Sequence, residues 1–146
     1  MKRFIVAGLA AALAYASPGL AQSSSYTPGS YWTVSSIDIL PGQAENYADF
    51  LAGQWKRSQE FAKSKGYIED YFVLANVNGP DGEPDLYLVT RFKEMTTRAE
   101  DQRRTTEYEA FMKSDPHKLE AESGARATMR TQKGSMLLQE LMLKAR

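Results

Sequence analysis

Two hydrophobic periods alternate along this chain. Tyr31 to Leu40 (YWTVSSIDIL) is rich in β-branched and aromatic residues and is stopped by Pro41-Gly42, which predicts a strand running into a turn. From Gln43 to Lys65 the spacing becomes helical. Ala44, Tyr47, Ala48, Leu51, Trp55, Ser58 and Ala62 recur at three- and four-residue steps and share one face. Gly66 stands where a left-handed cap would close this helix, with Lys63 and Lys65 near its negative end. Tyr67 to Val77 reads as a second strand, Asn78 to Pro84 as a turn cluster, and Leu86 to Phe92 (LYLVTRF) as a third strand, so the second and third strands form a hairpin. Thr97 to Ser114 is helix-favouring, with a thin stripe of Ala99, Thr106, Ala110 and Phe111, and it stops before Asp115-Pro116. Residues 117–133 are polar with little periodicity and read as a short helix with a loop around Gly124. Ser135 to Lys144 (SMLLQELMLK) fits either period, and is taken as a strand because it follows a Gly and completes the sheet.

The predicted order is therefore β-α-β-β-α-β, an α+β, ferredoxin-like arrangement with a four-stranded antiparallel sheet and helices on one face. Two of the strands are apolar on both parities. In the second, Tyr67, Tyr71, Val73, Ala75 and Val77 oppose Ile68, Phe72 and Leu74. In the third, Leu86, Leu88 and Phe92 oppose Tyr87 and Val89. A sheet with one wet face should alternate apolar and polar residues, and two helices cover only one face. The second face then needs a partner layer that the chain does not supply, which predicts a homodimer.

The N-terminus follows a different logic. Met1-Lys2-Arg3 is basic, Ile5 to Ala16 is apolar, and Ser17-Pro18-Gly19-Leu20-Ala21 precedes Gln22. The apolar run is shorter than the ~20 residues a bilayer span takes, and the three-part layout predicts a secretory signal peptide over residues 1–21, cleaved after Ala21. Ala14-Tyr15-Ala16 offers a second site. The expected mature protein is periplasmic or secreted, with a flexible lead-in at residues 22–30, a domain over residues 31–146 and no membrane attachment after cleavage.

Composition narrows the chemistry. The 146 residues carry 18 basic and 18 acidic side chains, one His and no Cys. Loss of Lys2 and Arg3 with the leader tips the balance slightly acidic, so no basic footprint for nucleic acid exists. Without Cys there are no disulfides, thiolate nucleophiles or Cys-ligated metals, and one His cannot furnish a protein-only transition-metal site. Phosphate-binding, dinucleotide, zincin and nucleophile-elbow motifs are absent from the sequence. Neither a metal nor a cofactor is expected.

The strand through Ile37-Asp38-Ile39 into Pro41-Gly42, the long helix after it, and the hairpin ending in Leu86–Phe92 before Met95 together resemble the dimeric α+β barrel superfamily. Within it, WKRSQEFAKSKGYI (Trp55–Ile68) and GEPDLYLVTRF (Gly82–Phe92) are similar to small exported proteins of no assigned activity. The likeness spans roughly residues 31–144. It implies a dimeric α+β barrel with a ligand held between sheet and helix, and a small-molecule-binding protein with a pocket for an apolar or aromatic ligand. The alternative it implies is a cofactor-independent monooxygenase, isomerase or cyclase acting on an aromatic or polyketide-like substrate. Relatives of that kind use an Asn, a Trp and a Tyr or His; Asn76, Trp32 and His117 are of those types.

The candidate ligand-binding residues are Trp32, Tyr47, Trp55, Tyr71 and Arg91, with Phe72 and Tyr87 as further aromatics of the same cleft. His117 and Tyr71 are the candidate catalytic groups, because a general acid or base must titrate usefully near the substrate. The opposing reading is an ordinary aromatic core with His117 on the surface. Arg91 and Asp38 lie inside apolar strands. Arg91 is either a ligand anchor or a strand-end charge, while Asp38, close to Pro41, is expected to reach solvent.

Overall fold

A computed structural model describes residues 24–145. The signal-peptide assignment to residues 1–21 lies outside the described residues. Strand β1 (Tyr26–Ile39) leads to a helical rod made of α1 (Ala44–Phe50), a π-type turn (Leu51–Trp55) and α2 (Lys56–Ser64). Strands β2 (Asp70–Ala75) and β3 (Leu86–Phe92) follow, then α3 (Arg98–Met112), α4 (Pro116–Ala127) and β4 (Arg130–Leu143).

Local signals explain most of these boundaries. Pro41 and Gly42 close a tight turn in which the Gln43 amide donates to the Leu40 carbonyl at 3.0 Å, with Gly42 at φ 75°. The rod ends in a Schellman cap. The Tyr67 amide reaches the Ala62 carbonyl at 2.9 Å, the Gly66 amide reaches that of Lys63 at 3.0 Å, and Gly66 takes φ 70°. Thr97 caps α3 by accepting from the Glu100 amide, and Asp115 caps α4 by accepting from the Lys118 amide, with Pro116 opening the helix.

The four strands form one antiparallel sheet in the order β2-β3-β1-β4, with the helices on one face. The sheet is open. The expected dimeric α+β barrel is therefore corrected: β2 and β4 are the two edges, each with a single strand neighbour, and closing a sheet takes about eight tilted strands rather than four. The ferredoxin-like barrel class and the superfamily resemblance built on it fall with that closure. What stands is an α+β fold with a four-stranded antiparallel sheet.

Several segments differ from expectation: β2 is shorter than Tyr67–Val77 at both ends, and β4 starts five residues before Ser135. Strand β1 begins at Tyr26, inside the stretch read as a flexible lead-in, because Tyr26, Thr27 and Pro28 pair with Leu143, Met142 and Leu141 of β4. Residues 116–127 form a full helix with Gly124 inside it, so the connection from β3 to β4 carries two helices.

Register decides which side chains face the helices. Ile37 is fully buried against Tyr47 and Leu51 of the rod, with Ile39, Phe50, Trp55, Leu86, Leu88 and Met129 packed around them. A second cluster joins the layers of helix: Phe61 stacks on Phe111 at 4.4 Å and meets Tyr67 and Tyr108 edge-on or tilted. Burial of Phe61, rather than of the Ala62 in the expected stripe, is what ties α2 to α3.

Candidate functional site

Between the helical layer and the sheet lies a cleft of about 280 Å³. Its floor comes from alternate residues of three strands: Thr33, Ser35 and Ile37 of β1, Leu88 and Thr90 of β3, and Gln132 of β4. These share one face because directly opposed residues of antiparallel strands point the same way. Tyr47, Phe50, Gln54 and Trp55 descend from the rod, and Tyr108 from α3. Arg126, in the last turn of α4, and Arg130, at the start of β4, close one side. Apart from Ile37 and Leu88 the floor is hydroxyl and amide, while the walls carry the rings of Tyr47, Phe50, Trp55 and Tyr108. The expected apolar-ligand pocket of a dimeric barrel is corrected by the open sheet, which leaves no barrel to hold it.

Charge in the cleft is positive. The Arg126 guanidinium lies 5.6 Å from the centre of the Phe50 ring, and that of Arg130 lies 5.9 Å from the centre of the Tyr47 ring. The Tyr47 hydroxyl and the Arg130 Nε are buried without a hydrogen-bond partner. Burial raises the Tyr47 phenol above its ordinary pKa and the two guanidiniums pull it partly back, so it is a neutral donor at physiological pH. At the rim Gln54 donates to Glu122 of α4 at 2.5 Å.

The expected ligand residues do not converge. Tyr47 and Trp55 line the cleft; Trp55 is partly exposed and meets Tyr71 edge-on at 5.4 Å. Tyr71 lies on β2 at a second, apolar groove between the rod and that edge strand, which Trp55 also lines, and its hydroxyl donates to Glu60. That hydrogen bond, first, and burial hold the phenol up at about 12, where it stays protonated. Trp32 and Arg91 are paired across strands β1 and β3 on the opposite face of the sheet, with the Arg91 guanidinium 5.4 Å from the Trp32 ring and 3.1 Å from Glu69. Arg91 is thus a strand-end charge in an ion pair. His117 sits exposed in the first turn of α4. Asn76 bonds the Pro84 carbonyl inside the β2–β3 turn. With Trp32 on one face, Asn76 in a turn and His117 on a helix start, the oxygenase-type constellation is not assembled.

Among the described residues, no element covers the face carrying Trp32. Trp32 and Val34 of β1, Phe72 and Leu74 of β2, Tyr87 and Val89 of β3, and Met136 and Leu138 of β4 occupy it in register. Trp32 stacks on Phe72 at 6.2 Å, and Leu74, Met136 and Leu138 are about half exposed. At its two ends the face is bordered by Arg91 with Glu69 and by Lys133 with Asp38, the latter 3.2 Å apart.

Sequence reasoning missed Arg126, Arg130, Gln54 and Gln132. The first two fall in the aperiodic stretch after Asp115, and the only signal there was a pair of Arg residues four apart, which a helix-to-strand break disguises. No helix among the described residues is long and apolar enough to cross a membrane. Compared with known proteins, the chain matches no protein-family model, no curated protein and no solved structure.

Proposed function

We propose that this chain is a self-associating module that works as a homodimer, two copies packing the uncovered faces of their open sheets together. The observation that supports it is the apolar character of that face on all four strands, from Leu74 through Val89 and Val34 to Leu138. Soluble chains seldom leave such a patch to water. A second copy suits it better than an unlike partner, for two reasons. A two-fold axis presents each patch with its own apolar match. Two charged residues at its rim, Arg91 and Lys133, are each neutralised by a carboxylate, Glu69 and Asp38, so neither presents a bare positive charge to a second copy. An apolar centre with a polar rim is the usual anatomy of an interface.

Light scattering on the purified protein at micromolar concentration should give twice the chain mass. Leu138→Lys and Leu74→Lys should each weaken association at least about tenfold, since each forces a charge into a desolvated centre. Val77→Lys, at a side chain 92 % exposed in the β2–β3 loop, should leave the mass unchanged. A monomer at every concentration, or a dimer indifferent to both face variants, overturns the reading. The first 21 residues support a second proposal, that the chain acts outside the cytoplasm, in the periplasm or secreted. N-terminal sequencing of exported protein should begin at Gln22, and an intact Met1 in the membrane fraction would refute it.

A further inference from the structure

We infer that the cleft between the helices and the sheet binds a small organic acid, whose carboxylate is held by Arg126, Arg130 and the Tyr47 hydroxyl. This does not depend on whether the chain pairs, because the cleft is on the opposite side of the sheet from the apolar face.

Four observations carry it. First, the two guanidiniums lie on the cleft and neither has a carboxylate within 4.0 Å among the described residues, whereas Arg91, Arg103 and Arg104 each do. The one acid at the rim, Glu122, is engaged by Gln54. Second, two buried donors, the Tyr47 hydroxyl and the Arg130 Nε, lack acceptors. Leaving a buried donor unmade is costly, and a single carboxylate has lone pairs enough for both and for Arg126 as well. Third, each guanidinium lies beside an aromatic ring of the cleft, Arg126 by Phe50 and Arg130 by Tyr47, so both charges are held at the site, and a guanidinium fork matches a planar carboxylate. Fourth, the rest of the lining is mixed: Thr33, Ser35, Thr90, Gln54 and Gln132 offer hydroxyls and amides, and Phe50, Trp55, Leu88 and Tyr108 offer apolar surface to the carbon skeleton of the acid. A volume of about 280 Å³ is at the small end of ligand sites, which suits a compact metabolite rather than a lipid or a polyketide.

The charge on Arg126 has a second use, since it lies in the last turn of α4 and complements the negative end of that helix. Arg130 has no such duty. It starts a strand, and its one side-chain hydrogen bond among the described residues is a long 3.4 Å contact to Gln132. Arg130 is therefore the residue on which the site turns.

Calorimetry and amide NMR with acetate and succinate, against acetamide and succinamide as neutral isosteres and inorganic phosphate as a tetrahedral anion, test this directly. At least one of the two acids should bind at millimolar concentration or better, with shift changes centred on Thr33, Thr90, Arg126 and Arg130. The amides should not. Arg130→Gln should weaken the acid at least about tenfold, and Tyr47→Phe by a smaller factor of about three to ten, as expected for a charged and a neutral donor. Arg98→Gln, on the first residue of α3, should bind as the parent does. Should Arg130→Gln fail to fold, Arg126→Gln and Tyr47→Phe carry the same test. Binding by neither acid, equal binding of the amides, tighter binding of phosphate than of either acid, or an affinity unmoved by the cleft variants would each overturn the inference.

Discussion

Both faces of this sheet carry apolar side chains, Ile37, Leu86 and Leu88 among them under the helices, and the faces differ in where polar residues are admitted. The face under the helices presents Thr33, Ser35, Thr90 and Gln132 to a cleft, while the uncovered face presents Trp32, Val34, Phe72, Leu74, Val89 and Leu138. In a sheet that keeps one side wet, the apolar residues belong under the helices and the polar ones outside. Here the helical layer makes a compact contact only at one end, around Ile37, Tyr47 and Leu51, and stands off a polar floor elsewhere. The covered side thus combines an apolar core with a cleft of mixed lining, while the bare side is a continuous apolar patch. A face's covering does not reveal which face carries the hydrophobic driving force, and each face has to be read from its own register.

The sharpest way to break that contrast is to cut one side chain on each face. Ile37 is fully buried at the centre of the helix-side core, so Ile37→Ala should cost about 3 kcal/mol, from lost transfer energy and the cavity left behind. Leu74, 51 % exposed on the bare face, should cost under about 0.5 kcal/mol in a monomer when changed to Ala. Denaturant unfolding at several protein concentrations separates the two. The Ile37→Ala loss should be the same at every concentration. A Leu74→Ala loss that grows with concentration would mark the dimer, because only the associated state feels that residue. Equal, concentration-independent losses would mean that the two faces are not different in kind.

How much of this was legible in the chain depends on the element. Strand β3 was read with its observed limits, Leu86 to Phe92, because a turn cluster and a change of period bracket it. The cap at Gly66, the helix stop before Asp115-Pro116 and the turn at Pro41-Gly42 were legible for the same reason: each is a local steric or hydrogen-bond requirement carried by one or two residues. Strand β1 was read five residues short at its start, since Thr-Pro-Gly-Ser has no strand propensity of its own and Tyr26 to Pro28 are held in place by pairing with Leu141–Leu143 of β4. Helix α4 was obscured because no side chain in it is buried, so it leaves no apolar stripe to see. The site was the least legible part. Trp32 and Tyr47 are both large aromatics on consecutive elements, and nothing local says that one points out of the sheet and the other into the cleft. That choice rests on the β1–β3–β4 register, which no single segment encodes. Closure failed for a similar reason, as strand count and chain order are visible locally but edges are not.

Tyr47 sharpens the comparison from inside the cleft. Its ring is part of the core, while its hydroxyl is buried with no partner. Tyr47→Phe keeps the packing and removes the unpaired group, so the ligand-free protein should become more stable by about 1 kcal/mol. The same change should reduce the affinity for an organic acid. A core phenol that opposes folding yet favours binding is what a site formed in advance of its ligand requires. Thermal or denaturant unfolding with and without acetate or succinate measures both signs, and a loss of stability in the ligand-free protein would show that the hydroxyl already has a partner.

The smallest expected effect lies in the helical layer, remote from both faces. Glu107 accepts from the Tyr67 hydroxyl at 2.7 Å and pairs with Lys65 at 3.0 Å, and these contacts hold its carboxyl at about 2, below the ordinary 4.5. Glu100 is held at about 2 in the same way, by hydrogen bonds from Arg103 and Arg104. A carboxylate whose folded pKa is depressed contributes stability that is fully present above its unfolded value, and loses it as pH falls through the folded one. The contribution of each should therefore fade between about pH 4.5 and about pH 2. Glu107→Gln should flatten the stability profile in that window, with the variant and parent curves apart near neutrality and meeting at its acid end. Because these groups are exposed, the gap should be small and should shrink further in high salt. The chain mass and the acid affinity should not move, since Tyr67, Lys65 and Glu107 join the rod to α3 and touch neither face of the sheet. A Glu107→Gln variant that altered the mass or the affinity would tie the helical layer to one of the two faces, and so break the independence on which the comparison rests.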